Sequence, residues 1–263
     1  MKHVIKKWND ITKRLRHKTI LLFLDFDGTL TPIVSTPSKA HLSSQTRNIL
    51  KKLQTLPDVK LIIISGRSLE DIRQRAGLPG IIYAGNHGCR ISGAGIDWKH
   101  DFPVAWHRKL QKLHKELLVA TNEIRGVLIE DKNMSIAVHY RNVANKDMAS
   151  FREALAKASR PHIASLLIKP SIGKKVIELG LVTAWNKGKA VNWLIQRLKR
   201  SKIIQSYVPI YIGDDVTDET AFTTLKHKGI TIHVGRGKRS AASYYLRNPP
   251  EVAIFLRKLT ELL

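Results

Sequence analysis

Leu21-Leu22-Phe23-Leu24-Asp25-Phe26-Asp27-Gly28-Thr29-Leu30 is the stretch that decides how this chain folds. Ile20 to Leu24 is an uncharged apolar run with the length of a strand buried on both faces. Asp25 and Asp27 follow, and on an extended backbone positions i and i+2 project to the same side, at the strand's carboxyl end. Gly28 permits a sharp turn and Thr29 adds a hydroxyl. In open α/β sheets that edge is where ligands bind. Two acids on a buried strand repel each other and resist desolvation, so they need a compensating cation. A hard, oxygen-seeking ion such as Mg2+ meets the need and usually comes with substrate phosphate. Asp also acts as a nucleophile in phosphoryl transfer, through an aspartyl-phosphate. An isolated D-x-D reads more simply as a pair of turn or capping residues. The hexamer Asp25–Leu30 behind an apolar strand is far more specific.

That hexamer resembles the nucleophile motif of the haloacid dehalogenase superfamily. The bulk properties leave room for such an enzyme. With 263 residues and 43% hydrophobic content, the chain suits one large domain or a core with a smaller insertion. Its one cysteine, Cys89, excludes an internal disulfide and fits a reducing compartment. Asn9, Asp10 and Lys13 interrupt any signal-peptide core, and no apolar run approaches the ~20 residues of a membrane span. A cytoplasmic, monomeric protein is the expectation. The net charge of +24 is the odd property. It fits anion attraction or nucleic-acid binding, but the basic residues are dispersed, without aromatic interleaving or zinc-finger spacing. No nucleic-acid partner is therefore expected, and the charge reads as surface bias.

Residues 1–18 predict a basic helix, with Val4, Ile5, Trp8, Ile11 and Leu15 near helical spacing. A helix opens at Ser43 or Ser44 and runs to Leu56. Leu61–Ile64 is a second buried strand, ending in Ser65-Gly66-Arg67, and Ser68-Leu69-Glu70-Asp71 caps the next helix. Ile81–Ala84 is a third strand, running into Gly85-Asn86-His87-Gly88, where His87 serves a ligand or merely the loop. A hairpin spans Arg90–Trp98 around Gly93-Ala94-Gly95. The pattern then changes: a helix over 104–121, strands over 126–130 and 135–140 joined around Asp131-Lys132-Asn133, a helix over 145–159, and strands over 165–169 and 175–179. This αββαββ unit predicts an antiparallel sheet with helices on one face. Parallel α/β order resumes with a helix from Trp185 to about Arg200, strands at Tyr207–Ile212 and Ile230–Val234, and a helix at Pro249–Leu262. Gly235-Arg236-Gly237 fails the dinucleotide fingerprint.

Four motifs thus occupy strand ends or helix starts in order: Asp25/Asp27, Ser65, Lys187, and Asp214/Asp215/Asp218. The late acids supply further metal oxygens, and the lone lysine steadies a transferring phosphoryl group. The set resembles a haloacid dehalogenase phosphatase with its cap inserted between the second and third motifs. More narrowly, nearly the whole chain resembles the trehalose-6-phosphate phosphatases. The resemblance rests on LDFDGTLTPI (24–33), SGR (65–67), YAGNHG (83–88), EDK (130–132), HYR (139–141), KVIE (175–178), WNKGKA (185–190) and YIGDDVTDE (211–219). Asn186 departs from it, since the family more often has Asp before the lysine.

The resemblance implies a Rossmann-like parallel-sheet core over 1–104 and 180–263 and an α+β cap over 105–179. It implies Mg2+ on Asp25, on Asp27 through its backbone carbonyl, and on Asp214, with Asp215 and Asp218 completing or orienting the shell. Asp25 is the implied nucleophile, Asp27 the general acid and base, and Ser65 and Lys187 the phosphate holders. Substrate contacts are implied for Thr29, Arg67, Asn86, His87 and Gly88 in the core, and for Glu130, Lys132, Arg141 and Glu178 in the cap. The implied substrate is a sugar phosphate, trehalose 6-phosphate before sucrose phosphate or a glycosyl-phosphoglycerate.

Overall fold

The computed structural model describes residues 1–132, 134–165, 168–173, 175–181, 185–235 and 239–263; Asn133, Leu166, Leu167, Arg236 and Gly237, named in the sequence reading, lie outside them. In chain order the elements are β1 (Lys2–His3), α1 (Trp8–Leu15), β2 (Thr19–Leu24), α2 (Ser44–Thr55), β3 (Val59–Ile64), α3 (Leu69–Ala76), β4 (Ile82–Gly85), β5 (Arg90–Gly93) and β6 (Ile96–Lys99). Next come α4 (Val104–Thr121), β7 (Leu128–Asp131), β8 (Ser135–His139), α5 (Met148–Ala164), β9 (Ile168–Gly173) and β10 (Val176–Leu181). The chain closes with α6 (Lys187–Arg200), β11 (Tyr207–Gly213), α7 (Glu219–Leu225), β12 (Ile230–Val234), β13 (Tyr244–Leu246) and α8 (Pro249–Leu262). They form two compact units, Met1–Lys99 with Trp185–Leu263, and His100–Ala184, against expected crossings after 104 and 179.

The first unit carries a sheet in the order β1-β13-β12-β11-β2-β3-β4-β5-β6. Pairing is parallel from β1 to β4 and antiparallel through the β5–β6 hairpin. β2 is central, and its apolar run is unbroken because helices cover both faces. Ile20, Leu22 and Leu24 pack with Leu15, Leu50, Leu53 and Phe255, while Leu21 and Phe23 pack with Leu194, Leu198 and Phe222. Full burial of each such side chain contributes roughly 1.5–3 kcal/mol. The expected α/β core is the observed one.

Helix starts are fixed by side-chain caps. Ser43, Ser68, Asn186 and Asn248 accept hydrogen bonds from the backbone N–H of Thr46, Asp71, Lys189 and Glu251. At the hairpin tip Ala94 (φ 49°) and Gly95 (φ 77°) are both left-handed, the turn that matches strand twist. Trp98 of β6 packs its ring at a tilt against Trp185 (centroids 4.6 Å apart) and against Trp193 of α6 (4.9 Å). Trp185 Nε1 also donates to Gly88 O at 2.9 Å.

The N-terminal expectation needs correction. Helix α1 begins only at Trp8, because Lys2–His3 pair in parallel with Tyr244–Tyr245 and cover the outer edge of β13. Strand β13 and helix α7 were not expected at all.

In the second unit β7-β8-β10-β9 form an antiparallel sheet. Ile136, Val138 and Leu179 share a core with Leu110, Leu113, Leu117, Phe151 and Leu155 of the two helices. Helix α5 runs beyond the expected 159, through Pro161, to Ala164. Its buried row continues to His162, whose Nε2 lies 2.6 Å from Glu116 Oε2 on α4. The following strands are displaced accordingly, to Ile168–Gly173 and Val176–Leu181. No helix among the described residues is long and apolar enough to cross a membrane.

Candidate active site

The site of the first unit gathers at the carboxyl ends of β2, β3, β4 and β11. Asp25 continues the line of β2, its N–H donating to Ile212 O at 2.9 Å. Lys187, in the first turn of α6, lies between two acids: its Nζ donates to Asp25 Oδ1 and to Asp218 Oδ1, each at 2.7 Å. Asn186 fills the cap position of that helix, so the departure from Asp keeps the capping bond to Lys189 N–H. Asp218 is surrounded by donors. Its Oδ1 also accepts from the Tyr211 hydroxyl (2.7 Å), and its Oδ2 from the N–H groups of Asp214 (3.0 Å) and Asp215 (2.9 Å).

Asp214 is reached by the Thr29 hydroxyl at 3.4 Å. Asp25, Asp214 and Asp218 are all buried, and each offers a carboxylate oxygen within 4.8 Å of the others. Burial is the largest influence on Asp25 and pushes its carboxyl well above the ordinary range; Lys187 pulls it back, and Asp218 and Asp214 push it further up. Burial opposes charge on Lys187 too, but Asp218 and Asp25 outweigh it and hold the ammonium above its ordinary value. Burial, then Asp218, also raises the Tyr211 hydroxyl. Three clustered buried carboxylates, only two of them paired with the Lys187 ammonium, form a donor set suited to a hard cation.

Asp27, expected at a metal through its backbone carbonyl, and Asp215, expected to complete or orient the metal shell, have carboxylates engaged with other groups. Arg67 takes both oxygens of Asp27, Nε to Oδ2 at 2.6 Å and Nη2 to Oδ1 at 2.7 Å. Asp215 accepts from Val216 N–H at 2.7 Å and caps the turn at Val216–Asp218. Ser65, at the end of β3, accepts from Arg67 N–H at 3.1 Å. The next strand end locks onto this one, with Asn86 N–H donating to Arg67 O (2.7 Å) and His87 N–H to Ser65 O (2.8 Å). Asn86 (φ 50°), His87 (φ 55°) and Gly88 (φ 91°) are consecutive left-handed residues, a strained run typical of functional loops. Asn86 Oδ1 is buried without a hydrogen-bond partner among the described residues.

In the second unit, register places Glu130 and Glu178 on either side of Ala137. Cross-strand partners point to one face, so both acids share a face with Ser135 and His139. The apolar face is the opposite one, formed by Ile136, Val138 and Leu179. Ser135 Oγ donates to Glu178 Oε1 (2.5 Å), Lys132 Nζ to Glu178 Oε2 (3.4 Å), and His139 Nε2 lies 3.1 Å from Glu130 Oε2. Arg141, expected at this site, is exposed beyond the end of β8.

The sequence profile described as Trehalose-phosphatase matches residues 23–250. The chain belongs to the trehalose-phosphatase family. A probable trehalose-phosphate phosphatase D of Arabidopsis thaliana is 34% identical over 97% of this chain and 70% of its own length. A trehalose-phosphate phosphatase of Mycobacterium tuberculosis is 36% identical over 90% of this chain but only 60% of its own. In fold, the C-terminal domain of a C. albicans trehalose-6-phosphate phosphatase matches with a TM-score of 0.79 at 24% identity, covering 97% of each chain.

Within this trehalose-phosphatase chain, three residues that pair with the candidate side chains of one unit or the other carry no role in the sequence reading. Tyr211 was legible as the one hydroxyl-bearing residue in Tyr211-Ile212-Gly213, just ahead of the acids. His139 was legible from its parity with Ser135 and Ala137 on β8. Asp71, which holds the far side of Arg67 at 2.7 Å, gave no signal beyond a place in a capping box. A separate groove of about 1340 Å3, lined by Trp98, Trp193, Asn192 and Arg197 among others, includes none of Asp25, Asp27, Asp214 and Asp218.

Proposed function

We propose that this protein is a Mg2+-dependent phosphatase that hydrolyses trehalose 6-phosphate to trehalose and phosphate, the last step of trehalose biosynthesis. The observation that carries the reading is the buried Asp25 carboxylate, 2.7 Å from Lys187, at the end of the central strand of a trehalose-phosphatase. The donor set fits a divalent cation: Asp25, Asp214 and the main-chain carbonyl of Asp27 would hold it, and Asp218 would orient Asp214 and Lys187. When bound, Mg2+ offsets the negative charge that otherwise repels a phosphate dianion.

The chain's own residues supply the rest. Asp25 attacks phosphorus, the bond to the sugar oxygen breaks, and Asp27 gives that oxygen its proton. Asp27 then takes a proton from the water that attacks the aspartyl-phosphate, releasing phosphate and restoring Asp25. Lys187 and Ser65 hold phosphate oxygens, and the Asn86–Gly88 loop supplies further polar contacts. Glu130, Lys132 and Glu178 of the second unit match sugar hydroxyls, with His139 steadying Glu130. Phosphate release from a panel of sugar phosphates, with and without Mg2+, tests the reading. Preference for trehalose 6-phosphate with loss of turnover on chelation is expected. Preference for sucrose phosphate or a glycosyl-phosphoglycerate would overturn the substrate, and full activity after chelation would overturn the metal.

A further inference from the structure

Asp27 is the first rung of a ladder of alternating charge. Beyond the fork that holds Asp27, Arg67 Nη1 donates to Asp71 Oδ2 at 2.7 Å. Arg75 Nε donates to both oxygens of Asp71 at 2.8 Å. Arg75 Nη1 then ties the ladder to the loop ahead of α2, donating to Ser38 O (2.9 Å) and Ala40 O (3.2 Å). Residues 67, 71 and 75 are spaced i, i+4, i+8, so α3 and its approach present all three on one face. Arg67 is 5% exposed, and its guanidinium has little room to move while both edges are engaged.

A proton donor must keep one oxygen at the leaving atom, and small displacements are costly in rate. Asp27 has its rotamer set by the inner edge of Arg67, and Arg67 has its orientation set by the outer edge on Asp71. We infer that Asp71, braced by Arg75, is a positioning residue for proton transfer by Asp27. Arg67 therefore acts through Asp27 rather than as a sugar contact. The inference rests on the phosphatase reading and on Asp27 as proton donor.

Leaving-group chemistry separates positioning from a structural role. The sugar alkoxide of trehalose 6-phosphate is strongly basic and needs the proton, whereas the phenolate of p-nitrophenyl phosphate leaves without one. Asp71→Asn should lower kcat on trehalose 6-phosphate roughly 10- to 100-fold, with KM nearly unchanged. Because Asp27 also serves as base toward water in the second step, the contrast is read in the first step alone: the pre-steady-state burst of p-nitrophenolate should keep its rate within about twofold. Arg75→Lys, a milder change, should show the same selectivity with a smaller loss, and it serves if Asp71→Asn melts early. Asp27→Asn is the control and should show the largest contrast between the two substrates in that first step. Equal losses of first-step rate on both substrates, a rise in KM alone, or no loss would each overturn the role of Asp71. A control without contrast would overturn Asp27 as donor, and the inference with it. If the wild type prefers another sugar phosphate, the substrate reading fails alone, and the contrast is measured with that ester.

Discussion

Gly28 and Asp214 approach more closely than any side chain at residue 28 would permit. A β-carbon there would stand 2.2 Å from Asp214 Oδ2, and the residue already has φ +89°. Gly28→Ala therefore combines backbone strain of about 1–2 kcal/mol with displacement of a proposed metal ligand. The expected result is loss of most turnover together with loss of the Mg2+-induced rise in Tm, followed by scanning fluorimetry. An alanine variant that keeps both would show that Asp214 can move without consequence.

Asp25→Asn should abolish turnover, by at least about 1000-fold, without loosening the fold. Burial and two neighbouring acids disfavour the charged carboxylate, so the neutral amide removes an electrostatic penalty in metal-free protein. Tm in the presence of a chelator should be equal to or above that of the wild type. A lower Tm would mean that the bond to Lys187 outweighs the repulsion.

Asp218→Asn should do the reverse. All four bonds to Asp218 come from donors, so an amide nitrogen at either position opposes a donor and leaves Lys187 poorly paired. Breaking a buried pair costs about 3–5 kcal/mol. Urea unfolding at neutral pH should place this variant well below Asp25→Asn, and equal stability would contradict the anchoring role of Asp218.

Glu130→Gln and Glu178→Gln test the polar face of the second unit. Each should lower kcat/KM for trehalose 6-phosphate at least about 10-fold, or ~1.4 kcal/mol, while hydrolysis of an aryl phosphate falls much less. Parallel loss on both substrates would remove these acids from sugar recognition.

Glu251 gives a prediction in pH. Burial pushes its carboxyl up, but Arg247 N–H and His3 outweigh burial and hold it below its ordinary 4.5. A depressed carboxyl stabilises the fold above its unfolded value, and that contribution is lost as pH falls through the folded one. Glu251→Gln should lower Tm at pH 7, and the gap from the wild type should close as pH is taken below 4.5. A gap that persists in acid would assign the effect to packing rather than charge.

The core was legible because its signals are local and repeated. An apolar run ending in Asp25-Phe26-Asp27-Gly28 announces a buried parallel strand with acids at its mouth, and the same logic locates Ser65 and Asp214. What stayed hidden depends on partners distant in sequence. Lys2–His3 become a strand only because β13, about 240 residues later, offers an edge. The residues alone could not rank Asp214, Asp215 and Asp218; only the family resemblance set Asp214 at the metal and the other two behind it. The turn after β11 decides, spending Asp215 on a cap and folding Asp218 inward under Lys187 and Tyr211. The fork from Arg67 to Asp27 likewise joins residues 40 positions apart, with nothing in either motif to reveal it.

The packed tryptophans carry a different consequence. Trp98 is the next-to-last residue of the last strand before the chain leaves the first unit, and Trp185 is the first residue on its return. Their rings lie 4.6 Å apart and Trp98 is also held by α6, so exit and entry are clasped at one point beside the sheet edge. Among the described residues, 100–184 contribute no strand to the nine-stranded sheet, so excising or exchanging them unzips none of its pairings.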